Sequence, residues 1–352
     1  MPARHVASLV DAIFPPRLRT EGDRMVRRVR IGLALLVLAV TSFSVYGQDK
    51  PKIYFGSSSK TLGYGPLWAA VKKGFLEQQG LDGQLVLLRG TPMNVQALAA
   101  GSLQVGSGGA EAFYEATERG LDLAMVGGVI NGLTHDIIAN KKYKSIEELR
   151  GATFGSSSLT SGTVTALKQA LKAKGLEYPR DYKILIIAGG SSANLAAMQS
   201  GQIAATTVAI PLNYVAEEAG FNVVGRLIDA VPEFELGVLA VKRSWAEKNR
   251  ALAVRFMKAI ALTNRWMFEN KEAAIDFLAR EMQLNPNHAR RGWEYYTQNQ
   301  IWDPNGDLSL KGTEYAIRVY MEQSGAKGPM PSLAKYVDQS YLSEALKDMP
   351  KR

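Results

Sequence analysis

The feature that most restricts how this chain can fold is that it repeats itself at an offset of about 100 residues. Phe55-Gly56-Ser57-Ser58-Ser59 recurs as Phe154-Gly155-Ser156-Ser157-Ser158, each closing an apolar run, Lys52-Ile53-Tyr54-Phe55 and Ala152-Thr153-Phe154. A helix-like segment follows in each copy, Leu67 to Leu81 and Val164 to Leu176, ending in Gly80-Leu81 and Gly175-Leu176. The glycine suits a helix C-terminal stop. Second strands come next, Gln84 to Leu88 and Lys183 to Ile187. Ala97 to Leu103 then faces Ala197 to Ile203, and Ala116 to Gly120 faces Ala216 to Gly220, before the strands Leu123 to Val126 and Val223-Val224. So many matches in one order point to two similar βαβαβ lobes. Alternating strands and helices predict an α/β protein, each lobe a mostly parallel sheet flanked by helices.

In such sheets ligands sit beyond the carboxyl ends of the strands. The loops that fall there are rich in glycine and hydroxyls in both copies. They supply Ser57, Ser58, Ser59, Thr91, Ser107 and Gly108 from the first copy, and Ser157, Ser158 and Ser191 from the second. Glycine and serine also make ordinary turns, so any single loop means little. Their recurrence at matching positions favours a shared cleft. Thr160-Ser161-Gly162-Thr163 precedes a helix and could seat an anion or simply cap it. Tyr64 and Trp68 could stack on a flat ligand or anchor a surface. Glu111 could pair with a cationic or hydrogen-bond-donating group, or be a solvated acid at a helix start, and Arg89 could supply positive charge or lie on the surface.

From Ser244 the pattern turns helical. Ser244-Trp245-Ala246-Glu247 reads as a capping box, and Leu252, Phe256, Ala259, Ile260, Thr263 and Met267 share a helix face destined for the core. At the other end, Arg27, Arg28 and Arg30 precede an apolar stretch from Ile31 to Val45 and then Tyr46-Gly47-Gln48. That is the grammar of a cleaved export signal over residues 1–47, with Met25 a candidate start. About 15 apolar residues make a helix of only ~22 Å, short of the ~30 Å hydrocarbon core. The expected destination is the periplasm.

Charge and composition exclude other classes. The net charge is +9, but residues 1–47 carry 7 Arg against 3 acidic residues, which leaves +5 for the other 305. No basic run of the kind nucleic-acid binders concentrate is found downstream. With no cysteine, the chain has no disulfide, thiolate metal site, lipid anchor or cysteine nucleophile. Phosphate-loop, dinucleotide and His-Glu-x-x-His motifs are absent, so neither cofactor nor metal is expected. A serine hydrolase is the enzymatic alternative, because Gly189-Gly190-Ser191-Ser192-Ala193 approximates a nucleophile turn. Its base would have to be His135 or His288, and neither is placed by sequence to reach Ser191.

The order of motifs resembles the solute-binding proteins of ATP-driven (ABC) uptake transporters, in the branch that binds alkanesulfonates, taurine, nitrate and thiamine precursors. The resemblance rests on Gly65-Pro66-Leu67-Trp68 with Lys73-Gly74-Phe75-Leu76, Ala100-Gly101 with Val105 to Gly109, Ser145 to Gly155, and Gly201 to Pro211. It departs at Ala204-Ala205, where an acidic residue is usual. The resemblance implies a type II two-lobe fold with crossings near 135–141 and 236–241. Lobe 1 would then be 50–136 plus 241–352, and lobe 2 would be 140–236. It also implies a monomer that closes on a small molecule and delivers it to a membrane permease, and it adds Asn131 and Pro211 to the candidate site. A ligand-sensing module without transport is the alternative it leaves open.

Overall fold

The computed structural model describes residues 50–350, apart from Arg89, Ser158, Thr160, Ala188 and Lys327. The segment 1–47 expected to be an export signal and the candidates Arg89, Ser158 and Thr160 therefore lie outside the described residues. The first copy of the repeat runs β1 (Lys52–Ser57), α1 (Gly65–Lys72), α2 (Phe75–Gln78), β2 (Asp82–Leu87), α3 (Thr91–Ala99), β3 (Val105–Gly108), α4 (Ala110–Glu118) and β4 (Leu123–Ile130). The chain then enters β5 (His135–Ala139), β6 (Thr153–Ser156), α5 (Gly162–Ala173), β7 (Lys183–Ile186), α6 (Gly190–Gln199), β8 (Ala205–Ala209), α7 (Leu212–Glu218), β9 (Asn222–Arg226) and α8 (Leu227–Ala230). After β10 (Gly237–Lys242) come α9 (Arg243–Lys248), α10 (Arg250–Glu269), α11 (Lys271–Glu281), α12 (Pro286–Gln298), α13 (Leu310–Ser324) and α14 (Ser340–Leu346).

Ten strands form two five-stranded sheets, ordered β2-β1-β3-β10-β4 and β7-β6-β8-β5-β9. Each sheet has four strands in one direction and one reversed strand, β10 in the first and β5 in the second. The reversed strand in each case follows the chain's passage from the other sheet. The expected crossings therefore need correction. Residues 135–139 are a strand of the second sheet and 237–242 a strand of the first, so the links between sheets are 131–134 and 231–236. An apolar run carries no label for the sheet it joins, which is why the pattern put the crossings several residues late.

The repeat extends into packing detail. A Cβ at Gly56 would collide with Asn94 and Leu103, and one at Gly155 would meet Ile203 and Asn194. The helix after each second strand thus lies close against the first strand, and glycine is what lets it approach. The first copy's single expected helix is broken, because Gly74 (φ 75°) separates α1 from α2, a left-handed conformation that costs glycine nothing. Ser244 does not start a helix: α9 begins at Arg243, and the Ser244 N–H donates to the carboxylate of Asp122 at 2.9 Å.

Helix α10 presents Phe256, Ala259, Ile260, Thr263 and Met267 to the core, with Phe55 of β1 edge-on to Phe256 at 5.2 Å. The C-terminal helices do not stay with the first sheet. Tyr315 of α13 donates to Gln169 of α5 at 2.6 Å, while α13 also packs on α4. On α12, Arg291 pairs with Glu217 at 2.6 Å and His288 with Glu218 at 2.7 Å, both acids on α7. Both lobes thus lean on the C-terminal helices.

Candidate ligand-binding cleft

The carboxyl ends of β3, β4 and β8 and the amino ends of the reversed strands β5 and β10 converge on one cavity of about 250 Å³. Tyr64, Thr91, Gly109, Glu111, Ile130 and Leu236 reach it from the first sheet and its helices; His135, Ala209 and Ile210 reach it from the second. Thr61, the linking residue Thr134, and Tyr296 from α12 complete the wall. The volume matches a small molecule, below the usual ~300–1,000 Å³ of drug-sized pockets.

The duplicated hydroxyls mostly hold backbone in place. Thr91 Oγ1 accepts from the N–H of Gly109 at 3.0 Å, and exactly 100 residues later Ser191 Oγ accepts from the N–H of Ala209 at 3.2 Å. Each bond ties the start of a helix to the end of the strand that opens on the cavity. Ser58 donates to Tyr64 Oη at 2.7 Å and takes its own N–H to Ser107 Oγ at 3.2 Å. Ser57 is buried and donates to the carbonyl of Ser59 at 2.6 Å. The sequence singled out neither Asn94 nor Asn194. Asn94 is fully buried, accepts from the N–H of Ser107 at 3.3 Å and donates to the carbonyls of Leu88 and Gly90 at 3.0 and 3.2 Å.

Of the sequence candidates, Tyr64, Thr91 and Glu111 line the cavity. Ser57, Ser58, Ser59, Ser107 and Gly108 belong to its supporting loops and strands, and Ser191 to the first turn of α6. Ser157 is exposed, and Ser161 caps α5 by accepting from the N–H of Val164 at 3.3 Å, with Thr163 in that helix's first turn. Trp68 packs against the first core with the Lys60 ammonium 4.5 Å from its ring centre, away from the cavity wall. Asn131 spends its amide on the carbonyl of Asp307 at 2.7 Å, bracing the first crossing. Pro211 follows Ile210 through a cis peptide bond at the start of α7. Thr134 and Tyr296 were missed, and His135 was considered only as a base, because no local pattern says that a crossing and a distant helix meet at one wall.

The electrostatics of the wall are set by burial. Glu111 Oε2 is buried with no hydrogen-bond partner in the protein, although the side chain as a whole keeps some exposure. Burial raises its carboxyl above the usual range, partly offset by its own backbone N–H. Burial also raises the Tyr64 hydroxyl, the Ser58 hydrogen bond opposes this, and the nearby Glu111 charge adds to it. His135 is pushed down to about 4 by burial, so its imidazole is neutral at pH 7, and its Nδ1 has no partner in the protein. The next residue, Asp136, points to the opposite face of β5, as strand alternation requires. It lines a separate groove with Asn213, Tyr214, Arg226 and Arg291.

Two mixed sheets of matching order, joined by two links around one cavity, define the two-lobe periplasmic-binding-protein fold. The sequence profile of the NMT1/THI5-like family matches residues 63–274, and the chain belongs to that family. A Brucella abortus protein described only as a binding protein is 25% identical over 270 residues, which is 74% of this chain and 80% of that one. Among solved structures, a sulfonate-binding SsuA protein from Methylobacillus flagellatus superposes with a TM-score of 0.68 at 19% identity, covering 86% of this chain and 96% of that one. A cysteine-to-serine mutant of DSZB, bound to biphenyl-2-sulfinic acid, superposes with a TM-score of 0.67 at 12% identity over 84% of this chain and 99% of that one.

Proposed function

We propose that this chain is the solute-binding component of an ABC uptake system: it is exported, captures a small polar organic molecule between its lobes and hands it to a membrane permease. The observation that carries this reading is a small cavity walled by both sheets, with Thr91 and Glu111 reaching it from the first and His135 from the second. Closing such a clamp requires only that the ligand touch both walls at once. The two links, 131–134 and 231–236, are where the lobes would divide and bend.

Binding without turnover is favoured by what surrounds Ser191. Its hydroxyl oxygen accepts from the N–H of Ala209, and His288 pairs with Glu218. Among the described residues no hydrogen bond joins Ser191 to His288 or to His135, which pairs in register with Ala209, so neither imidazole is placed as its base. The export segment and the family support a periplasmic monomer whose mature form begins near Gln48.

The test is to purify the protein from the periplasm, sequence its N-terminus, and extract and weigh any small molecule it carries before and after incubation. Recovery of an unaltered molecule, with a smaller radius of gyration in scattering when it is added back, is the expected result. A chemically altered molecule, or an unchanged radius on binding, would refute the reading.

A further inference from the structure

The cavity's charge is opposite to what an anionic ligand needs. Among the described residues its lining contains no Lys or Arg, and its one acidic group is Glu111, with Oε2 buried and unpartnered inside the protein. Two helices start at this wall, α3 at Thr91 and α4 at Ala110, and helix N-termini ordinarily welcome anions. At α4, however, the chain has supplied the anion itself. Glu111 stands in the helix's first turn with its carboxyl group folded against Gly109, over the position an external oxyanion would take. A sulfonate or carboxylate entering here would face a carboxyl group in a low-dielectric pocket with no Lys or Arg among its described lining residues.

From this geometry we infer that the ligand presents N–H donors, on an amidine-like or ammonium head, to the carboxylate of Glu111, between the aromatic walls of Tyr64, His135 and Tyr296. This deepens the solute-binding reading and rests on it. A donor head satisfies the buried Glu111 oxygen that has no partner in the protein, and the neutral imidazole of His135 adds no positive charge to repel it. A cation would in turn draw the Glu111 carboxyl toward its ionised form, since an opposite charge within a few ångströms favours the charged state. Hydrogen bonds to a charged group are worth about 1.5–3 kcal/mol, roughly ten- to a hundredfold in affinity.

The experiment titrates the mature protein calorimetrically at pH 7 with matched probes, benzamidine against benzenesulfonate and methylguanidinium against methanesulfonate, and repeats this with Glu111→Gln. That substitution keeps the size and one acceptor oxygen while removing the charge, and a thermal melt checks that the variant remains folded. The expected result is that the cationic member of at least one pair binds more tightly, and that Glu111→Gln weakens it at least tenfold without weakening its anionic partner. Tighter binding of an anion with lobe closure in scattering would overturn this inference and leave the solute-binding reading standing. Failure of both cations overturns it as well, and if the anions also fail and a periplasmic metabolite extract causes no closure, the solute-binding reading falls with it. If cation affinity is unchanged in Glu111→Gln, the head lies elsewhere and the inference is wrong.

Discussion

Replacing Asp136 by Asn should separate two titrations that oppose each other at the start of β5. Asp136 is 5% exposed, receives the Asn213 amide at 2.7 Å, and has its other carboxyl oxygen unpaired. Burial raises it from 3.8 to about 6; the Asn213 hydrogen bond and Arg226 oppose the rise, and the charges of Glu217 and Asp229 add to it. Between those two values the unfolded carboxyl has lost its proton while the folded one retains it. The folded state then binds more protons, so this group's contribution to stability falls as pH rises from about 4 to 6. The displacement corresponds to on the order of 3 kcal/mol, fully felt above pH 6. His135 runs the other way. Its unfolded imidazole takes a proton below 6.5 and its folded one only near 4, so its contribution rises with pH across that window. Because His135 keeps part of its surface exposed, its share is set lower, at about 1–2 kcal/mol. The wild-type curve contains both slopes, partly cancelling. Urea unfolding followed by tryptophan fluorescence at pH 4, 5, 6 and 7 should show Asp136→Asn gaining on wild type as pH rises, by about 3 kcal/mol in all. His135→Asn should lose ground over the same range. A constant offset is irrelevant, since the slope is the readout. If Asp136→Asn and wild type run parallel, burial is not what holds that proton.

Two further outcomes follow from the scaffold. Asn94→Ala deletes a fully buried amide that joins three backbone groups and should cost at least about 3 kcal/mol in denaturant unfolding, and a loss below about 1 kcal/mol would contradict its role as a loop tie. Arg291→Ala removes a half-exposed pair with Glu217 and a guanidinium 3.8 Å from the Tyr214 ring centre, which together should move stability by no more than about 1 kcal/mol. Because both partners lie on α7 of the second lobe, the variant should scatter with a larger radius of gyration, and an unchanged radius would show that the pair does not bias closure.

The sequence carried the architecture well where the signal was local. Strand ends, turn glycines and the helical face of α10 each depend on a few neighbouring residues, and the repeat multiplied the signal by two. It carried the crossings poorly. His135 to Ala139 reads as an apolar run whichever sheet it joins, and only the pairing His135 with Ala209 assigns it to the second. Trp68 had the right chemistry for a cleft but sits on the face of α1 that packs against the first core, a choice made by the far-off α10 and α11. Tyr296 lies 232 residues beyond Tyr64, the ring it joins at the wall, and no window of sequence contains both.

The repeat also separates scaffold from specificity, once the hydrogen bonds are known. Positions that match across the 100-residue offset do the same mechanical work: Thr91 and Ser191 each fix a strand end to a helix start. At the next equivalent positions around the cavity the copies part. Glu111 in the first lobe stands where the second has Pro211, and Ala110 stands where the second has Ile210. One wall therefore offers a carboxyl and the other an apolar side chain and a ring without an N–H to give. A cavity built from two similar halves would tend to present the same chemistry twice. At these two positions the walls present a carboxyl and an apolar side chain, with His135 the polar group of the second wall, so a ligand that satisfies both positions has two unlike ends, a donor head toward Glu111 and an apolar body toward Ile210. Lengthening the apolar part of an amidine probe at constant head should then tighten binding by about 0.8 kcal/mol per buried methylene until the cavity is filled, while Ile210→Ala should flatten that series without touching the dependence on Glu111.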